Sequence, residues 1–221
     1  MTTIPRHLKP LSLRGLVAIA WAVGAPPATN AQEVAASTSQ RPLTGTADLY
    51  VGLTPSESLH PLIILSATAR RLRIEGRYNY EDVRTASLFA GIELATEGGM
   101  ALWVAPMIGL VVGHTDGIAP ALEIELSLGR FTLYDESEVV IPLDDESESS
   151  FYTWGTLTYR VSDGVQAGLS FQRLRVFESA LEVDRGLAVL AERARLGASL
   201  YAFNPFDSDN RFFQLGLSLR Y

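Results

Sequence analysis

The sequence predicts an all-β fold, a closed antiparallel up-and-down barrel of 12 strands that crosses a membrane. Three observations support it: apolar and polar residues alternate with period two, short and long connections alternate along the chain, and aromatic residues gather near strand ends. Period-two alternation is typical of strands with one apolar and one polar face. A helix with the same pattern would carry charge on every side.

Twelve segments with this alternation are predicted as strands, at 46–54, 61–69, 72–81, 86–95, 100–112, 120–128, 130–141, 151–161, 164–176, 184–192, 195–203 and 211–221. Tight turns and longer, more polar loops alternate between them, as expected when one end of a barrel faces the periplasm and the other faces outside. With 12 strands both ends of the barrel segment lie on the short-turn side. A barrel of 10 strands remains an alternative.

Aromatic residues lie near both predicted ends of the wall, which favours two interfacial girdles. The short-turn end carries Phe131, Tyr159 and Tyr221. The long-loop end carries the larger group: Tyr78, Tyr80, Phe151, Tyr152, Trp154, Phe177, Tyr201, Phe203, Phe206, Phe212 and Phe213.

The first 31 residues have the pattern of a cleaved secretory signal peptide. Arg6, Lys9 and Arg14 precede an apolar stretch of 11 residues, 15–25, which is too short to span a bilayer as a helix. Residues 32–44 read as a flexible periplasmic leader, and residues 45–221 as the transmembrane barrel.

Composition excludes several classes of protein. The chain carries a formal net charge of −7, and three of its 18 basic residues but no acid lie in residues 1–31. The remainder therefore has a net charge of −10, which argues against nucleic acid as a partner because phosphates require basic patches. The absence of cysteine excludes disulfide scaffolds, thiolate metal sites and cysteine nucleophiles. After the signal, no apolar run is long enough for a membrane helix.

The last strand, RFFQLGLSLRY, is apolar at alternate positions and ends on an aromatic residue. It resembles the assembly signal of Gram-negative outer-membrane β-barrels, carried here by Phe213, Leu215, Leu217, Leu219 and Tyr221. The resemblance implies an outer-membrane location, with the barrel-assembly machinery, outer-membrane lipid and lipopolysaccharide as partners. The segments RYNYED, SFYTW and FNP are similar to pieces of an uncharacterised family of bacterial outer-membrane barrels, which implies no activity.

Charged residues on the polar strand faces are predicted to line the lumen, because an arginine at the lipid midplane costs about 2–4 kcal/mol. The predicted set is Arg71, Arg73, Glu75, Arg77, Glu93, Glu123, Glu125, Glu136, Glu138 and Arg160. Arginines opposite acids favour a passive porin-like channel for small polar or charged solutes. The alternatives are a non-conducting structural or adhesion barrel with a side-chain-filled lumen, and an exported soluble β-barrel binder.

Enzymatic patterns are weak, and the sequence predicts no catalytic, cofactor-binding or metal site. His60 and His114 lie in predicted loops, with Ser56 and Ser58 near His60, but no G-x-S-x-G motif is present. The pairs Glu123/Glu125 and Glu136/Glu138 have a spacing that glycosidases also use, yet alternating acids are ordinary on a barrel's inner face. The acidic loop 143–150 lacks the glycine and spacing of a calcium loop.

Overall fold

The computed structural model describes residues 43–53, 61–144, 148–176 and 182–221. No helix in these ranges is long and apolar enough to cross a membrane. The predicted signal peptide, most of the predicted leader, and Ser56, Ser58, His60 and Phe177 lie outside the described residues. The strands are β1 (Thr44–Leu53), β2 (Pro61–Ala69), β3 (Leu72–Tyr78), β4 (Ala86–Ile92), β5 (Leu94–Thr96), β6 (Met100–Val112), β7 (Gly117–Leu128), β8 (Phe131–Pro142), β9 (Ser150–Ser162), β10 (Val165–Val176), β11 (Glu182–Arg193), β12 (Leu196–Phe203) and β13 (Phe212–Arg220).

The strands form one closed antiparallel sheet. Strands that follow one another in sequence pair, except that β4 and β5 do not pair with each other and both pair with β6; β1 pairs with β13. β4 and β5 are therefore consecutive pieces of one barrel strand, and the barrel has 12 strands around its circumference. The predicted closed barrel of 12 strands is confirmed, and the alternative of 10 strands is wrong.

The predicted strand 86–95 is interrupted at Glu93, directly after the residue that lies opposite a proline. Gly91 pairs with Met107 and Leu94 with Val104, so one register continues across the gap and places Pro106 opposite Ile92. Proline has no backbone N–H and removes a hydrogen bond from the ladder. The strand therefore holds its register while losing regular pairing with β6 at two residues, Ile92 and Glu93.

The third strand ends earlier than predicted, at Tyr78 rather than residue 81. Asn79 adopts a left-handed backbone conformation with φ of 58°, which asparagine tolerates better than most residues. Its N–H donates to the Thr85 carbonyl oxygen at 2.8 Å, and its side-chain oxygen accepts from the Arg84 N–H at 2.7 Å. A tight loop therefore replaces the last three residues, 79–81, of the predicted strand.

The two faces of the wall have opposite chemistry. Outward positions carry large apolar side chains that remain exposed, such as Leu65 at 53% and Leu110 at 62%. Inward positions carry charged, hydroxyl and aromatic side chains that are buried. The hydrophobic pattern of an ordinary soluble protein is thus inverted.

The predicted outer girdle is only partly correct. Tyr78, Phe151 and Phe213 occupy outward positions, and Phe206 is almost fully exposed in a loop. The other described aromatics of that group are buried inside the barrel: Tyr80, Tyr152, Trp154, Tyr201, Phe203 and Phe212. Proximity to a strand end was the wrong criterion, because residue parity along the strand decides which face a ring takes.

Candidate functional site

An arginine on β3 reaches across the lumen to β8. The guanidinium of Arg77 contacts Glu136 Oε1 at 3.0 Å and Glu138 Oε2 at 2.8 Å, and its Nε donates to Glu75 Oε1 at 2.7 Å. The Arg77 guanidinium also lies 4.2 Å from the centre of the Phe89 ring. Its side chain has no exposed surface. Charge-assisted contacts of this kind hold an arginine in one orientation.

A second arginine on the same strand completes the ionic cluster. Arg73 pairs with Glu75 on its own strand, with Glu93 at 3.3 Å and with Glu123 of β7 at 3.3 Å. Glu93 also accepts a 2.8 Å hydrogen bond from Thr68. The break between β4 and β5 therefore places the Glu93 carboxylate where it contacts both Arg73 of β3 and Thr68 of β2. Within this cluster two guanidinium groups face five carboxylates, counted from the ion pairs of Arg73 and Arg77.

The other half of the lumen is filled by aromatic rings. Trp154 packs edge-on against Tyr134 and Tyr201, with ring centres 5.8 and 5.4 Å away. Tyr201, Phe203 and Phe212 continue the series as stacked rings. Trp154 and Tyr201 are fully buried. Edge-to-face and offset contacts are the preferred geometries of such rings.

The ionic and aromatic halves of the lumen meet at the level of Arg77. The hydroxyl of Tyr80 donates to Glu136, so the carboxylate that Arg77 reaches also joins the aromatic group. Glu75, Glu123, Glu136 and Trp154 expose at most 2% of their surface. At this level the interior side chains therefore face one another and leave almost none of their surface open to water.

The structure brings most of the predicted lumen residues together. Glu125 is buried between Trp103 and Tyr134 on the neighbouring strands, and Arg160 lies half-buried in the inward series near the short-turn end of β9. Arg71 is different, because it occupies the turn between β2 and β3 and is exposed. Arg71 is therefore not part of the buried ionic cluster, and its predicted inward orientation stays a prediction.

The residues of the terminal strand take the predicted faces. Phe213, Leu215, Leu217 and Leu219 point outward and are 40–61% exposed. The backbone of Tyr221 exchanges two hydrogen bonds with Gly45 of β1, at 3.0 and 3.1 Å. Their role as an assembly signal stays a prediction.

The loop-end rim holds a polar group around Asp82. Its carboxylate contacts the His114 ring, accepts from the Thr115 hydroxyl at 3.2 Å, and accepts from the Val83 N–H at 2.7 Å. The Thr115 hydroxyl donates to the acid and not to the imidazole, so no nucleophile–base pair forms here. The arrangement ties loop 113–116 to loop 79–85. In the same loop, burial raises the pKa of Glu81 above its usual value of 4.5, while nearby Arg77 opposes the rise.

Metal-binding geometry is absent from the described part of the chain, where no three His, Asp or Glu side chains form a group that could hold an ion. The acidic loop 143–150 falls partly outside that part, at residues 145–147.

Comparison with known proteins finds likeness in fold and not in sequence. No family model and no curated protein sequence matches the chain. Among solved structures, the KdgM porin matches with a TM-score of 0.57 at 8% identity, covering 79% of this chain and 98% of the porin. A KdgM porin in complex with disordered oligogalacturonate matches with a TM-score of 0.59 at 9% identity, over the same shares.

The chain has the closed barrel fold of outer-membrane porins. Nearly the whole length of KdgM is matched, so the likeness extends to the complete barrel. At this identity the likeness concerns the backbone alone, and the lumen must be judged from this chain's own side chains.

Proposed function

We propose that the protein is an outer-membrane barrel of porin type that provides a passive route for small polar or charged solutes and is closed at Arg77 in the conformation described. The contact of Arg77 with Glu136 and Glu138 carries the proposal, because one side chain spans from β3 to β8. On the ionic side of the lumen, an opening requires this side chain to change rotamer, whereas the backbone pairing of the barrel stays intact.

The outward face supports the membrane location. Bilayer hydrocarbon offers no hydrogen-bonding partners, so a spanning sheet must be closed and apolar outside. The wall is closed through β1 and β13, and its outward leucines, isoleucines and valines are exposed. An exported soluble binder would have to keep this apolar surface in water, which argues against that alternative. The predicted partners, lipid, lipopolysaccharide and the barrel-assembly machinery, belong to this proposal.

The excess of acid in the ionic cluster predicts the selectivity of an opened route. Five carboxylates against two guanidinium groups leave negative charge along the path once Arg77 moves away. Rings of acidic side chains favour cations in channels. Small cationic or zwitterionic solutes are therefore the proposed cargo. That the protein is not an enzyme stays a prediction.

The second candidate is a structural barrel that never conducts. The aromatic half favours it, because Trp154 and Tyr201 are fully buried and in ring-to-ring contact. A rotamer change of Arg77 leaves these rings in place. The protein is a channel if the space that Arg77 vacates beside the rings admits solutes, and a structural barrel if it does not.

Single-channel recording on the purified, refolded protein in planar bilayers separates the candidates. Wild type is expected to show rare, small openings, and Arg77→Ala to raise the open fraction and conductance about tenfold with cation preference, because the bridging side chain is gone. Arg71→Ala is the matched control, since it removes an exposed arginine from a turn. It should behave as wild type.

Folding must be checked in each variant by the heat-modifiable shift on gels. If folded wild type and folded Arg77→Ala are both silent, the channel proposal is wrong and the structural barrel is correct. Recovery of the protein in the soluble fraction of cells, instead of in urea-washed outer membranes, would contradict the location itself.

A further inference from the structure

Two arginines interrupt the apolar outer face near the loop end of the wall. Outward positions of β1–β7, β12 and β13 carry only glycine, proline and apolar or aromatic residues, apart from Thr96 at the end of β5. Polar outward residues between the ends of the wall are instead confined to β8–β11: Asp135, Ser137, Thr153, Arg173 and Arg185.

The register places the two arginines side by side. Arg173 pairs with Val183 and Phe171 pairs with Arg185, so the arginines are diagonal neighbours on one face. Diagonal neighbours lie about 7–8 Å apart, within reach of two long side chains that converge on one group. The backbone of Arg185 is fixed on its other side by Asn204, which accepts its N–H at 3.2 Å.

Neither guanidinium is neutralised by a carboxylate in the described part of the protein. The ion pairs found there involve Arg73, Arg77, His114 and Arg220, and the buried Nε of Arg173 has no hydrogen-bond acceptor. The outward acid Asp135 is engaged elsewhere, because it accepts from Ser137 at 3.0 Å and from Thr153 at 3.1 Å. Two positive charges thus face outward together without a counter-ion from the residues that the structure describes.

Their height on the wall indicates what supplies the counter-ion. Arg173 lies three residues before the end of β10 and Arg185 three residues after the start of β11, both at the end that meets the long loops. The Arg173 guanidinium lies 5.9 Å from the ring centre of Phe151, an outward aromatic at the same level. Aromatic rings and extended arginines mark the headgroup region of a bilayer, where lipid phosphates lie.

We propose that Arg173 and Arg185 form a binding site for the phosphate group of an outer-leaflet lipid. The proposal rests on the membrane location proposed above. Planar guanidinium groups match phosphate oxygens with paired hydrogen bonds, and a partly dehydrated setting beside hydrocarbon strengthens them. Thr153 is the register partner of Arg173, and Ser137 is the register partner of Thr153, so both hydroxyl residues belong to the same row of outward positions as Arg173.

Native mass spectrometry of the folded full barrel in mild detergent tests the site. The probes are lipid A and the same lipid after enzymatic removal of its phosphates. Wild type is expected to bind the phosphorylated form about tenfold more tightly. The double variant Arg173→Gln/Arg185→Gln should bind both forms equally. Arg193→Gln, which removes an outward arginine at the other end of β11, is the matched control and should keep the preference.

Equal binding of both lipids by wild type would overturn the proposal, as would loss of the preference in Arg193→Gln. Full competition by millimolar inorganic phosphate would also overturn it, because it would indicate a site for free phosphate. Capture of an acidic protein in place of lipid would do so as well. If the double variant does not show the heat-modifiable shift, Arg173→Lys/Arg185→Lys replaces it, and a reduced preference is expected because lysine lacks the planar fork. Channel recordings need no lipid A, so this test and that of the proposed function fail independently.

Discussion

The ring of Tyr221 lies directly against Gly45, where a side-chain carbon added to the glycine would stand 2.6 Å from the ring. The tyrosine hydroxyl continues past β1 and donates to the Ser66 carbonyl oxygen of β2 at 3.1 Å. One side chain therefore joins β13, β1 and β2 across the closure of the barrel. Glycine is required at position 45 because the ring occupies the space of a side chain.

Substitution of Gly45 by valine should weaken the closure. The added carbons meet both the Tyr221 ring and the Ser66 carbonyl oxygen, and overpacking of this kind costs about 1–3 kcal/mol. The free energy of unfolding in urea, followed by tryptophan fluorescence in lipid vesicles, measures the loss. Gly99→Ala is the control, because nothing lies near the added carbon there. An equal loss in both variants would contradict the role assigned to the ring.

A second glycine–aromatic pair lies inside the barrel. Phe89 of β4 faces Gly109 of β6 in register, and its ring fills the place of the missing side chain at 2.5–2.7 Å. Gly109→Ala should therefore destabilise by about 1–3 kcal/mol. In a double-mutant cycle with Phe89→Leu the two losses should not add, since the smaller side chain leaves room for the new methyl group. Strict additivity would show that the two residues do not interact.

Glu75 holds both arginines of the ionic cluster in place. It contacts Arg73 and also accepts from Arg77 Nε at 2.7 Å, so Glu75→Ala leaves two buried guanidinium groups with fewer partners. Breaking a buried ion pair costs about 3–5 kcal/mol. Urea unfolding should show a loss of that size, whereas Glu97→Ala in an exposed turn should stay within about 0.5 kcal/mol of wild type. A small effect at Glu75 would mean that water replaces the lost contacts.

Stability should fall as pH rises because of Glu81. Burial raises the pKa of this carboxyl above 4.5 in the folded protein, so the folded state binds the proton more tightly than the unfolded chain. Its contribution is fully present below pH 4.5 and is lost as pH rises through the folded pKa. Unfolding free energies between about pH 4 and pH 8 should therefore decline less steeply in Glu81→Gln than in wild type. The exposed Glu148→Gln variant should keep the wild-type slope; an unchanged slope in Glu81→Gln would contradict the assignment.

The strands could be predicted from sequence because period-two alternation is a local property. The outward face of β3 is evident from its own alternation, with exposed apolar residues at Leu72, Ile74 and Tyr78. The interruption at Glu93 could not be predicted in this way. It depends on the register that places Pro106 opposite Ile92, and a register is a relationship between two strands.

The filling of the lumen also lay beyond the sequence pattern. Parity alone assigns Trp154 and Tyr201 to the inner face, and that signal was available. Whether inner side chains touch across the barrel depends on its diameter and strand tilt, which follow from the register of all walls together. The contact between Arg77 and Glu138 is therefore a property of the closed sheet.

The same contact joins residues 61 positions apart in the chain. A sheet of β1 to β7 alone offers Arg77 neither Glu136 nor Glu138, and Glu75 is the partner that its own strand supplies. Glu136 and Glu138 pair with Arg77 only when the sheet has curled far enough to bring β8 within reach of β3. The ion pairs of Arg77 with Glu136 and Glu138 therefore stabilise the curled sheet over a flat one, because a flat sheet cannot form them.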